Sequence, residues 1–304
     1  MTPPSTLPLR HILLAIAVVA VWGTNFVVIK LGLAHLPPLL FAALRFAFAF
    51  APAVLFIRKP NVPWRELAAY GLFIGLGQFG LLYIAMTRFI SPGLASLVIQ
   101  TQVFFTIAMA MRLSGERVRL FQVAALGLAT AGIGVILAHG GGDATPIGLG
   151  LVLLAALSWS GGNIVARRRP EVNMLAYVVW SSLFAAPPLL ALSLALEGPA
   201  AIAQGLRQSD AATWGAVLWQ SVGNSLFGYA VWGWLLARHP AATVTPMALL
   251  VPVFGMAGSA IWLHEPLPAW KLIAAALVMG GLALNLAWPR LRARFAGGLT
   301  TPSA

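Results

Sequence analysis

The chain has 304 residues, 60% of them hydrophobic and 9% charged, with a formal net charge of +12 and no cysteine. A soluble domain carries about 25% charged residues. The polar surface here is therefore too small to coat a particle in water, and without cysteine a disulfide framework, a thiol nucleophile or a thiolate metal site is excluded.

Apolar runs of about 20 residues, each long enough to cross a hydrocarbon core of roughly 30 Å, recur along the chain. The composition predicts an all-α polytopic membrane protein, because lipid leaves backbone polar groups no partner outside a helix. Segment 1–10 carries one basic residue, Arg10, and no small-residue cleavage pattern, so the run after it is expected to be a retained first helix. Charges, prolines and glycines then bound ten transmembrane spans: 11–33, 37–57, 67–88, 92–112, 118–138, 147–167, 174–196, 213–236, 242–263 and 269–289.

Span one holds VWGTNFVVIK, with Trp22 and Asn25 near its middle and Lys30 toward its end. Span two buries Arg45. Span three carries Gln78 and Tyr83, and span four carries Gln100 and Gln102, which lie on different faces because residues two apart do not line up on a helix. Span six holds LSWSGGNIVARR, with Trp159 and Asn163; span eight carries Gln220, Asn224, Tyr229 and Trp232. The longest connection, of about 16 residues, is expected between spans seven and eight. Spans five and ten have little polar content and read as structural. Segment 290–304 is expected to be a basic, then disordered, cytoplasmic tail.

Sorting Lys and Arg by alternate ends, with the N-terminus inside, gives 14 on the inner side and 4 (Lys30, Arg88, Arg207, Lys271) on the outer. This split predicts both termini in the cytoplasm. It also accounts for the +12, so no nucleic-acid partner is expected.

The two halves, 11–138 and 147–289, resemble each other. Segment 37–55 aligns with 172–190, matching Pro52 to Pro187, and 115–137 aligns with 264–286, matching Glu116 to Glu265 and Gly132 to Gly281. With one insertion Trp22 pairs with Trp159 and Asn25 with Asn163. Five spans per half is an odd number, so the second half enters the membrane upside down. The expected architecture is two five-helix inverted-topology repeats, with a site near the midplane where they meet.

Candidate substrate-binding residues follow from that placement: Trp22, Asn25, Arg45, Gln78, Tyr83, Gln100, Gln102, Trp159, Asn163, Asn224, Tyr229 and Trp232. Each polar group either lines a path or bonds a neighbouring helix, since an amide in lipid needs a partner. Arg45 either meets a substrate carboxylate or bonds helix-end carbonyls and holds the fold. All seven acids and all five histidines lie at or near span ends. A midplane carboxylate relay is therefore missing, which weakens proton antiport and favours a facilitator or exchanger. Small-residue pairs at Gly71 and Gly75, Gly127 and Ala131, and Ala276 and Gly280 offer close packing faces, through which a homodimer could also form. No H-E-x-x-H, Walker A or G-x-S-x-G pattern occurs, so an enzyme is not expected and no cofactor or metal is called for.

The WGxNF element (Trp22 to Phe26), LRF (Leu44 to Phe46) and GE at Gly115 and Glu116, set in ten spans of two halves, resemble the EamA family of the drug/metabolite transporter superfamily. The resemblance covers essentially the whole chain. VWGTNFVVIK, PPLLFAALRF, GLASLVIQTQVFFTI and LLVPVFG resemble most the members that export O-acetylserine and cysteine. It implies a bacterial inner-membrane exporter of small amino-acid metabolites, working by alternating access without ATP. Export of aromatic or branched amino acids or of drugs is the alternative, and a non-transporting scaffold a third. Family architecture would line the cavity with spans one, three, four, six, eight and nine, which favours Asn25, Gln78, Gln100, Gln102, Asn163 and Tyr229. The second acidic motif departs from the family pattern, reading HEP at Glu265; Glu116 and Glu265 are expected mainly to cap helices.

Overall fold

The computed structural model describes residues 8–114, 119–139, 141–168, 171–239 and 241–297, with backbone alone at 114, 241–242 and 289–297. Gly115, Glu116, Arg117, Arg169 and the tail from 298 lie outside the described residues, as do the side chains of Arg290, Arg292 and Arg294. Within the described residues the chain is helical throughout and has no strand; a single bridge pairs Ile90 with Ala144.

The helices, in chain order, are α1 Leu9–Gly32, α2 Pro38–Phe50, α3 Trp64–Gly71, α4 Leu81–Arg88, α5 Pro92–Val98, α6 Gln102–Ser114, α7 Leu120–His139, α8 Pro146–Ala166, α9 Met174–Leu192, α10 Gly198–Gln208, α11 Ala211–Leu218, α12 Gly228–Arg238, α13 Ala241–Val244, α14 Leu250–Trp262 and α15 Ala269–Gly297. Several join end to end into longer rods. A π-helical stretch, Leu72–Gly80, links α3 to α4, and another, Trp219–Phe227, links α11 to α12. A 3₁₀ turn, Ile99–Thr101, links α5 to α6, and Thr245–Leu249 links α13 to α14.

Among the described residues nine helices are long and apolar enough to cross a membrane. The rod 211–238 is continuous too, but Gln220, Ser221, Asn224 and Ser225 make it too polar to join them. Two expectations are corrected. The long loop between spans seven and eight is mostly helix α10, set off from α9 by Gly198, whose φ of 83° no other residue adopts cheaply. The last helix runs to Gly297, beyond the expected end at 289.

Helix starts follow local chemistry. Proline opens α2, α5 and α8, where its missing N–H costs nothing. Acids from the far half of the sequence satisfy the free N–H groups there. Glu197 accepts from the amides of Leu39 and Leu40 at 2.7 and 3.2 Å, and Glu265 accepts from that of Gly93 at 3.0 Å. Helix-capping was the role expected for Glu265.

The rods pack in cross-half pairs: α1 on α14, α6 on α8, α2 on α9, and α7 on α15. Gly23 of α1 has the space of its missing Cβ filled by Phe254 and the Val251 carbonyl of α14, at 2.5 and 2.6 Å. This explains the glycine inside VWGTNF. Gly71 and Gly75 likewise admit α9, where an added Cβ would collide with the Ser181 carbonyl and the Ala185 side chain. The other two proposed faces, Gly127 with Ala131 and Ala276 with Gly280, are not used for packing among the described residues. Nothing lies within 4 Å of Gly127 or Gly280, and Ala131 and Ala276 are exposed. The α7–α15 contact uses Gly132 against Val278 and Gly281 against the Ala125 carbonyl instead.

Candidate functional site

A buried polar seam runs through the centre, where α2, the first π stretch and the second π stretch meet. Arg45 projects from α2 and is 1% exposed. Its guanidinium donates to the Tyr83 hydroxyl at 3.3 Å and to the Ser225 hydroxyl at 3.0 Å, and lies 3.7 Å from the centre of the Phe79 ring. Tyr83 in turn donates to the Gln220 side-chain carbonyl at 3.0 Å, and Ser225 to the Gln220 backbone carbonyl at 3.0 Å. Both hydroxyl oxygens thus turn lone pairs toward Arg45. Ser221 donates to the Arg45 backbone carbonyl at 2.9 Å, which ties α2 to the second π stretch.

Beside this seam sits a small cavity lined by Arg45, Tyr70, Ser181, Ser182, Ser225 and Tyr229, among others. The room open to the centre of a water-sized sphere is about 10 Å³, enough for about one water.

An aromatic group adjoins it. The Trp22 indole N–H donates to the Asn224 backbone carbonyl at 3.2 Å, and its ring stands 5.8 Å from that of Tyr229 and 5.2 Å from that of Trp232. In a π stretch the backbone partner lies five residues on rather than four, and the Trp22 indole adds a donor to one such carbonyl. The first π stretch is served in the same way from the other half: Ser158, next to Trp159, donates to the Phe73 carbonyl at 2.7 Å.

A second polar centre lies between α6 and α8. Asn163 donates to the Gln102 side-chain carbonyl at 2.9 Å and to Thr106 at 3.3 Å, and Ser160 donates to the Gln102 backbone carbonyl. Gln102 is therefore the member of the Gln100 and Gln102 pair that faces α8. Gln100 is buried in the 3₁₀ turn. Asn25 and Gln78 are each 4% exposed, and the side-chain oxygen of each meets no donor. Trp159 is partly buried against the core.

Of the twelve expected site residues, the structure places Arg45 and Tyr229 on the cavity lining, with Tyr83 against Arg45, Trp22 against Tyr229, and Trp232 and the Asn224 backbone carbonyl against Trp22. It holds Gln102 and Asn163 apart with each other, and leaves Asn25, Gln78, Gln100 and Trp159 outside both groups. Sequence reasoning missed Tyr70, Phe79, Ser181, Ser182, Ser221 and Ser225. One signal was present: Gly75 to Gly80 and Gly223 to Gly228 both read G-x-x-x-F-G, and each falls in a π stretch.

Other charged groups serve the ends of the rods. Lys30 donates to the Met86 and Thr87 carbonyls at 3.3 and 3.0 Å, capping α4. Lys271, with no exposed side-chain surface, pairs with Glu265 at 2.8 Å and Asp143 at 3.0 Å. His11 and His239 approach to 2.7 Å at the other end. Among the described residues no group of three His, Cys, Asp or Glu side chains could hold a metal ion.

The family model described as the EamA-like transporter family matches residues 9–138 and 146–287. The chain is 42% identical over 285 residues to a "Probable amino-acid metabolite efflux pump" of Salmonella typhimurium, covering 92% of this chain and 95% of that protein. It is 40% identical over 281 residues to the protein of the same description in Escherichia coli K12, covering 90% and 93%. A crystal structure 21% identical in sequence superposes with a TM-score of 0.61 over 92% of this chain and 98% of that one, a likeness of fold.

Proposed function

The chain belongs to the EamA-like transporter family, and from that premise we propose that it exports small amino-acid metabolites of the O-acetylserine and cysteine kind from the bacterial cytoplasm, by alternating access without ATP. The observation that carries this reading is the seam around Arg45. Its groups come from both halves of the sequence, with Arg45, Tyr83, Gln220 and Ser225 buried, and they bring hydroxyls, an amide, aromatic faces and one cation together. The efflux-pump descriptions of the two enteric relatives support the cargo class.

The architecture we infer is ten crossings in two inverted halves, with 211–238 as the eighth. One family model matching two successive segments supports the duplication. So does the recurrence of π stretches in rods three and eight and of 3₁₀ turns in rods four and nine. Contacts among the connections sort by alternate ends: those of Lys30, Glu197, Asp143 and Glu265 at one, those of His11 and His239 at the other. With the basic connections placed inside, the second end faces the cytoplasm, as do both termini.

The test is release from loaded proteoliposomes of labelled O-acetylserine and cysteine beside phenylalanine and leucine, with and without a pH gradient. Faster release of the first pair than from protein-free liposomes, unchanged by the gradient, is expected. Release of phenylalanine alone would instead support an aromatic cargo, a second reading favoured by the rings of Trp22, Tyr229 and Trp232 beside the cavity. No release of any of them would overturn the export of these metabolites.

A further inference from the structure

We infer that Arg45 is the carboxylate anchor of the central site, so that the cargo must bring a free carboxylate and its amine analogue lacking one is refused. The inference rests on the export reading and names the chemical group that the site recognises.

Among the cations on the described helices, Arg45 and Lys271 are buried and Lys30 is half-buried, and two of these three are compensated. Lys30 spends its charge on helix-end carbonyls, where the dipole is negative. Lys271 sits between two carboxylates. Arg45 has neither. Its partners are two neutral hydroxyls and the rings of Phe79 and Phe46, and among the described residues no carboxylate lies within 4.0 Å of it. Guanidinium does not lose its proton in proteins, so the charge persists however deeply it is buried. A buried charge left without a counter-ion is costly, and cation–π contacts offset only part of that cost.

The geometry also leaves a donor free. Arg45 Nε is buried and meets no acceptor, although guanidinium presents its N–H groups in a fork suited to two carboxylate oxygens. Arg45 lines the central cavity, and so do Ser181, Ser182 and Ser225, short hydroxyl side chains that leave space at the guanidinium. Tyr229 reaches the same cavity, and its ring joins those of Trp22 and Trp232. Aromatic faces attract an ammonium group. A zwitterion spanning the two would neutralise Arg45 while its own positive end stays several ångströms from the guanidinium. At about 10 Å³ the cavity has to widen before a cargo enters, and the cost of the unpaired charge favours the state in which a carboxylate is bound.

The experiment compares release of labelled cysteine and of cysteamine, the same molecule without its carboxylate, from proteoliposomes of wild type, Arg45→Lys and Arg45→Gln, corrected for protein-free liposomes. Wild type is expected to prefer cysteine at least tenfold. Arg45→Gln is expected to abolish that preference, and Arg45→Lys to retain part of it. Equal wild-type release of cysteine and cysteamine would overturn the anchor while leaving export intact, whether or not the variants fold. A folded Arg45→Gln that keeps the wild-type preference would also overturn it. No release of cysteine by wild type would overturn the export of cysteine and the anchor with it.

Discussion

Tyr83 takes part in two hydrogen bonds of opposite sense, accepting from Arg45 and donating to Gln220. Removing its hydroxyl therefore strands a guanidinium donor and an amide oxygen in a sealed interior at once. Tyr83→Phe is expected to lower stability by about 1–3 kcal/mol, the cost of buried groups left unpaired, and to reduce cargo release. Thermal unfolding in detergent and proteoliposome flux check the two effects separately. Arg45 and Tyr83 were legible in the sequence because a charge and a phenol inside apolar runs demand a reason. Their partners were not. Serine is common in membrane helices and stays silent until the fold sets Ser225 against a guanidinium. Asn25 was legible as a polar residue in lipid, yet its side-chain oxygen meets no donor. Composition says that such a group needs a partner, and not which neighbour supplies one.

The elements that shape the centre are the irregular ones. A π stretch widens the helix by one residue per turn and is often found at functional sites. Here Leu72–Gly80 and Trp219–Phe227 each carry a glycine, within or just after the stretch, close to a donor from the opposite half. A Cβ on Gly77 would lie 1.8 Å from the Ser158 oxygen, and one on Gly228 would lie 2.4 Å from the Trp22 indole nitrogen. Gly77→Ala and Gly228→Ala are expected to destabilise by about 1–3 kcal/mol through overpacking and to depress flux. Gly127→Ala, with nothing within 4 Å, is expected to leave both unchanged or to add a little stability. Thermal unfolding and flux of the three variants side by side measure this. The nine long apolar helices were legible from hydropathy, and α10 was missed because its polar residues imitate a loop. The π stretches left only the G-x-x-x-F-G echo, since a change of hydrogen-bond register alters neither hydrophobicity nor length.

At the scale of the whole molecule, the far half of the sequence caps the near one. Glu265 accepts from Gly93 at the start of α5 and also pairs with Lys271, while Lys271 reaches Asp143. Three connections are thereby fastened at one end of the bundle. Glu265→Gln is expected to cost about 3 kcal/mol, because it leaves a buried ammonium with one carboxylate partner that is itself part-exposed; replacing the pair together, Glu265→Gln with Lys271→Met, is expected to recover most of it. Thermal unfolding of the single and double variants decides this. The recurrence of Glu116 at Glu265 was legible, whereas the partner of Glu265 was not, because Gly93 lies more than 170 residues away. The narrow centre has an electrical consequence. A space for about one water does not hold a continuous file of them, so a water file is not expected to carry protons past Arg45 in this state. Proteoliposomes that hold a pH gradient and no cargo are expected to lose it no faster than protein-free ones, as a cell carrying many copies in its membrane would require.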